Sequence, residues 1–328
     1  MRVLILALAC SLASPSFADD DYRELTGHKG ATRVGLFTPD GRTLVSTSGW
    51  PNGDGTIRVW DIKTGKELRK VEGQKGDIND LAMSPDGKFV YSAPGGGDSI
   101  VRGWDVATAK EVVAFKDHDK GSNVSCVLVA PDGKSVASGG SDKRLLLWDS
   151  TTGKLIREFK GHTDLVRCLA FTSDGKILCS GSWDGSVKVW DVATAKELRS
   201  FKPKTKWVGG MAMLPDGKEL LVGCDEVGRW NIETGEKVKG YAGHGATCIA
   251  VSADGKKFLT GWYDGKVLLR DVESGRKEGE FQAHIGHMHG VRFAPDGKWF
   301  STAGGGGYEN GKEVKATDFA VRLWKVDE

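Results

Sequence analysis

The sequence predicts an all-β protein: seven copies of a four-stranded antiparallel sheet stacked around a common axis. Three observations predict it. An Asp-Gly turn recurs as TPDGR, SPDGK, APDGK, TSDGK, LPDGK, SADGK and APDGK, with glycines at 41, 87, 133, 175, 217, 255 and 297. A second series follows each turn: Trp60-Asp61, Trp104-Asp105, Trp148-Asp149, Trp190-Asp191, Trp230-Asn231, Arg270-Asp271 and Trp324-Lys325. Between these markers lie short runs of alternating apolar residues, the pattern of half-buried strands joined by hairpins. A self-similar period of about 44 residues is the mark of a repeat architecture, and seven such units account for residues 19–328.

Each unit reads as four strands. In the fourth, Val166–Phe171 runs into the Ser173-Asp174-Gly175 turn and returns through Ile177–Ser180; Asp184-Gly185 leads to Val187–Trp190, and Leu198–Phe201 closes the unit. A lone four-stranded sheet cannot cover both its faces, so the sheets must stack. The ends of the chain complement each other. Arg23-Glu24-Leu25-Thr26 aligns with the outermost strand Arg157-Glu158-Phe159-Lys160 but has no preceding unit, while Val321–Trp324 lacks an outer neighbour. Residues 21–26 are therefore expected to supply the outer strand of the last sheet and remove two free edges.

These motifs resemble the WD-repeat β-propeller family, over residues 20–328. The family pairs Gly-His near the start of a unit with Trp-Asp near its end. Gly27-His28, Gly161-His162 and Gly243-His244 match the first element; Asp117-His118 and Ala283-His284 keep the histidine, Gly73-Gln74 loses it, and the fifth unit lacks it. The resemblance implies a single seven-bladed propeller with a hydrogen-bonded Trp–Ser/Thr–His–Asp tetrad in each well-formed blade. The matching sets are His28, Ser46, Asp54, Trp60; His118, Ser138, Asp142, Trp148; His162, Ser180, Asp184, Trp190; and His284, Thr302, Asp318, Trp324. Blades 2, 5 and 6, which lack Gln74's imidazole counterpart, most of the tetrad and the tryptophan respectively, are expected to be the loosest.

The amino terminus reads differently. A basic Met1-Arg2, the apolar Val3–Ala13 and the small residues of Ser16-Phe17-Ala18 have the form of a secretory signal peptide cleaved after Ala18. The mature chain is then expected to begin at Asp19 and to be periplasmic, cell-surface or secreted, with no membrane span. Cys126, Cys168, Cys179, Cys224 and Cys248 remain; they are odd in number and lack C-x-x-C spacing. Three of them occupy one repeated position, six residues before the turn aspartate, which suits small packing residues rather than a disulfide framework.

Composition excludes several function classes. Lys+Arg 46 against Asp+Glu 44 leaves a net charge of +2, without the basic excess of a nucleic-acid binder. A Ser-His-Asp set repeated in at least four units with a tryptophan is a fastening, and no G-x-S-x-G elbow accompanies it. The runs Gly95–Gly97 and Gly304–Gly307 precede neither a helix nor a G-K-[ST] sequence, so they are loops rather than phosphate cradles. His287 and His289 beside Met288 leave too few ligands for a metal site once His284 joins a tetrad. No cofactor is expected.

The leading expectation is a non-enzymatic interaction scaffold that binds a peptide or loop of another protein on the propeller's upper face. The loop from the tetrad Ser/Thr to its Asp is short in units three, four and six and long in units seven, one and two, where it forms a wall. Trp183, Trp207 and Tyr263 lie opposite, with Arg167, Arg33, Trp50 and His289 completing the partner-binding set. The alternative is a propeller enzyme or a small-ligand or metal-binding protein using the axial channel mouth, ringed by Arg33, Asn79, Ser125, Arg167, Thr247 and His289.

Overall fold

The computed structural model describes residues 22–49, 53–242, 245–309, 312–314 and 318–326. The signal-like segment, Trp50, Gly243-His244 and part of the expected wall at 315–317 lie outside the described residues. Seven four-stranded antiparallel sheets and one two-stranded ribbon form. Blade 4 runs from the inner strand Val166–Phe171 through Ile177–Ser182 and Val187–Asp191 to the outer strand Glu197–Phe201.

The turns form where the sequence placed them because glycine alone fits them comfortably. Each of the seven turn glycines has φ between 65° and 73°, a left-handed conformation that costs any residue with a Cβ. The preceding aspartate fastens the turn: Asp174 Oδ1 accepts the Thr172 hydroxyl at 2.6 Å and the Lys176 amide at 3.0 Å.

There is no single core. Apolar side chains gather into seven separate clusters, one at each junction between neighbouring blades. Val34, Ile57 and Val59 of blade 1 meet Ile78, Leu81 and Trp104 of blade 2. The last junction joins Leu25, Val321 and Leu323 to Leu44 and Trp60 of blade 1. Seven filled junctions make a closed ring.

Closure follows the predicted route, shifted by one residue. Tyr22–Leu25 pairs with Val321–Lys325, in the register Tyr22↔Trp324 to Leu25↔Val321. Three contacts lock it: the Tyr22 and Trp324 rings lie 4.6 Å apart, the Arg322 guanidinium sits over Tyr22, and Arg322 pairs with Glu24 at 2.8 Å. The long loop of blade 7 contains the ribbon Gly307–Glu309 with Lys312–Val314.

On five inner strands the register slips by one residue, at Arg33, Asn79, Ser125, Arg167 and His289. A bulge leaves one residue outside the ladder and re-aims its side chain. The next residue returns to the ladder, and in blades 3 and 4 it is a cysteine facing a glycine, Cys126↔Gly139 and Cys168↔Gly181; blade 6 makes the same pair, Cys248↔Gly261, without a slip. Each sulfur lies against the space a Cβ would take on that glycine. All five described cysteines are free, and burial pushes the Cys168 and Cys179 thiols up to about 12. They pack. Such thiols are inert at neutral pH. Among the described residues no helix is long and apolar enough to cross a membrane.

Candidate functional site: the axial cavity

Hydrogen-bonded Trp–Ser/Thr–His–Asp sets stand in blades 1, 3, 4 and 7. In blade 4, His162 Nδ1 lies 2.9 Å from Asp184, its Nε2 lies 2.7 Å from Ser180 Oγ, and Trp190 Nε1 donates to the same oxygen at 2.8 Å. Blade 3 repeats this with His118, Asp142, Ser138 and Trp148 at 2.7–2.8 Å. In blade 7, His284, Thr302 and Trp324 bond at 3.0 Å, with Asp318 at 3.2 Å. Blade 1 is slacker at its carboxylate. His28 reaches Ser46 at 2.8 Å and Trp60 does so at 2.7 Å, but Asp54 stands 3.5 Å from the imidazole and also faces Arg58.

Blade 2 departs from expectation. Gln74 takes the imidazole's place, donating through its amide nitrogen to Asp98 at 3.0 Å and accepting from Ser92 at 2.7 Å, while Trp104 donates to Ser92 at 3.0 Å. The amide has a donor and an acceptor where a neutral imidazole has them, so the network survives. Blade 5 has no such network: Val222 stands where the other blades have Ser or Thr, and Trp230 instead stacks on Phe201 at 5.1 Å. In blade 6, Arg270 replaces the tryptophan and donates to the carbonyls of Ala242 and Gly275.

Ser46, Ser138 and Ser180 are fully buried and already receive a tryptophan N–H. A nucleophile must meet its substrate; these cannot. Burial draws the His28 and His162 imidazoles below their ordinary value despite the carboxylates beside them. Burial raises Asp184, but bonds from Ser186, Thr163 and His162 outweigh it and hold the carboxyl well below the usual range.

The open chemistry lies on the axis. A cavity of about 670 Å³ is lined by Arg33, Asn79, Ser125, Arg167, Gly209, Thr247 and His289, one residue from each blade, together with Trp183, Trp207, Tyr263, Asp164, Lys206 and His287. The channel mouth and the aromatic side share one concavity. Trp183 and Tyr263 are 50% and 41% exposed. Trp207 is half-buried: it stacks on Trp262 at 6.3 Å with planes 7° apart, and its indole covers Gly209, where a Cβ would clash. The aromatic row continues from Trp262 to Tyr263 at 4.6 Å and from Tyr263 to His287 at 4.5 Å. The backbone of His287 exchanges bonds with Gly305 and Gly306, so the ribbon of blade 7 is rooted at this rim.

Arg33 is the half-buried cation of the mouth. Burial and the charge of Arg167 draw its guanidinium down to about 10, against the pull of Asp77, so it is charged at neutral pH. It lies 2.9 Å from Nδ1 of His289, whose Nε2 lies 3.3 Å from the Gly305 carbonyl. Burial first, then Arg33, hold His289 neutral. Nδ1 therefore accepts from Arg33 and Nε2 donates to Gly305. Both nitrogens are committed, which removes His289 as a metal ligand, and among the described residues no group of three His, Cys, Asp or Glu could hold a metal ion.

Sequence reasoning missed Asn123, Asp164, Leu165 and Gly209 in this lining. All sit in the loops that bring the chain to an inner strand or leave the second strand, and that shared position was the available signal.

A closed ring of seven four-stranded blades, pinned by repeated tetrads and open at an axial cavity, defines a β-propeller. The chain belongs to the WD40 β-propeller family. Residues 123–307 match the family described as IFT122 first beta-propeller, and residues 20–61 and 65–105 match the WD domain, G-beta repeat. An uncharacterized WD repeat-containing protein of Synechocystis is 36% identical over 72 residues, 22% of this chain and 20% of that protein. The guanine nucleotide-binding protein subunit beta-1 of Caenorhabditis briggsae is 38% identical over 64 residues, 20% of this chain and 17% of its own. The matched stretch thus spans a fifth or less of the length of either relative.

Proposed function

We propose that the protein is a non-enzymatic scaffold, exported from the cytoplasm, that holds a segment of another protein in the axial cavity. The carrying observation is the pair of exposed aromatics, Trp183 and Tyr263, facing one concavity with Arg167. Large rigid rings give contact area at small entropic cost, and tryptophan, tyrosine and arginine dominate binding anchors. The burial of the tetrad hydroxyls and the bonds held by both nitrogens of His289 support a binding role rather than a catalytic one. Export rests on the signal-like composition of residues 1–18.

The double variant Trp183→Ala, Tyr263→Ala should melt like the wild type, because both side chains are exposed, yet lose about 2 kcal/mol or more of partner binding. Affinity capture from the native envelope with both proteins checks this; equal capture at equal affinity overturns the reading. For export, intact-mass measurement of the protein purified from its native source should give a chain starting at Asp19. A retained Met1 contradicts it.

A further inference from the structure

The charges of the cavity narrow its occupant. Its lining carries three cationic side chains, Arg33, Arg167 and Lys206, against one carboxylate, Asp164, which is exposed and accepts the Leu165 amide at 2.7 Å. Lys202 and Lys204, both exposed, precede Lys206 on the same loop. Two guanidinium groups at one mouth repel each other, an arrangement that an incoming anion relieves.

Most of the mouth is already committed. Asn79 donates its amide to the carbonyls of Pro94 and Val124, and Thr247 donates its hydroxyl towards those of Gly261 and Met288. Arg33 is fastened to His289, and Gly209 lies under Trp207. Arg167 and Ser125 remain. They occupy the bulge positions of adjacent blades, line the same cavity, and make no hydrogen bond or ion pair among the described residues.

We infer that the partner segment is acidic: an aspartate or glutamate side chain enters the mouth, its carboxylate accepting from Arg167 and Ser125, while its neighbours lie on Trp183 and Tyr263. This rests on the cavity being the partner site. The planar guanidinium offers paired N–H donors that match a carboxylate, and the serine hydroxyl supplies another. Arg33, held behind by His289, adds charge without having to move. The lysines at the rim favour approach of an acidic chain and make binding weaken as salt rises.

Random peptides displayed on phage are selected on the wild type, and the winning sequence is synthesised with its acidic residue and as the Asn or Gln twin. The expected result is an Asp or Glu at a fixed position, with the twin bound about tenfold or more weakly, the loss of a charge-assisted bond. Arg167→Gln, confirmed as folded by its melting curve, should bind acid and amide twins alike. Trp183→Ala should weaken both while keeping their ratio. Peptides that depend on Trp183 and Tyr263 but show no acidic preference overturn this inference and leave the cavity reading standing, as does an Arg167→Gln variant that retains the ratio. Selection of no peptide that depends on the cavity overturns both. Binding of free citrate at Arg167 without any such peptide assigns the site to a small acid instead.

Discussion

Deletion of the closing strand, residues 22–25, lowers the melting temperature by roughly 5 °C or more, as expected for a loss of a few kcal/mol in a domain of this size. Leu25 is fully buried against Leu44, Trp60, Val321 and Leu323, and removing such a side chain alone costs about 2–5 kcal/mol. The loss also uncovers the Trp324 ring that Tyr22 covers and strips Arg322 of Glu24. Val321–Lys325 becomes a bare edge carrying unpaired backbone groups, which invites pairing with another chain. Differential scanning calorimetry checks the shift, and a synthetic peptide of the missing strand should restore part of it. An unchanged melting curve overturns this account of closure.

Stability should also fall steeply as the pH drops below about 6.5. His28, His162 and His289 have values below that of a free imidazole, because burial penalises their charged form. As the pH falls through the unfolded value, the unfolded chain takes up protons that the native chain refuses. The stability these groups contribute is thus present above pH 6.5 and lost below it. Each can contribute a slope on the order of 1 kcal/mol per pH unit. A second loss follows at lower pH, when Asp54, Asp142, Asp184 and Asp318, all held below the usual carboxylate range, become protonated. Blade 2 supplies the control. Gln74 forms the same network with an amide that does not titrate. His162→Gln should therefore stay close to wild-type stability at pH 7.5 and show a shallower acid slope. Urea unfolding across pH 4.5–7.5 measures both, and an unchanged slope overturns the assignment.

What was legible in the sequence was whatever the repeat enforced. The seven turn glycines announce themselves because a left-handed backbone narrows the choice of residue, and Trp60, Trp148 and Trp190 because each fills the same buried slot. The strand count, closure and four tetrads followed. Substitutions that preserve bonding while changing identity were not legible: Gln74 looked like a loss until its two polar atoms were seen meeting Ser92 and Asp98. The slip at Arg33, Asn79, Ser125, Arg167 and His289 leaves no compositional trace, since a bulge residue is free of the ladder's apolar alternation. Ring positions could be counted along the chain, but the union of the mouth with Trp183 and Tyr263 depends on how far loops fold inward. Trp262 was missed for that reason; it backs the lining, 6.3 Å from Trp207 and 4.6 Å from Tyr263.

Those bulges separate the identity of the mouth from the integrity of the ring. Arg33, Asn79, Ser125, Arg167 and His289 lie outside cross-strand pairs and outside the seven apolar junctions, so replacing one leaves those junctions intact and removes at most a polar link between blades, Arg33 to His289 or Asn79 to Val124. The propeller thereby behaves as a frame with interchangeable teeth. A randomised library at these positions should yield many folded members with different ligand preferences, whereas one of equal size at Leu44, Phe115, Phe159, Phe258 and Phe300, all fully buried, should yield few. Such a frame lets recognition drift from one chemistry to another while its architecture stays fixed.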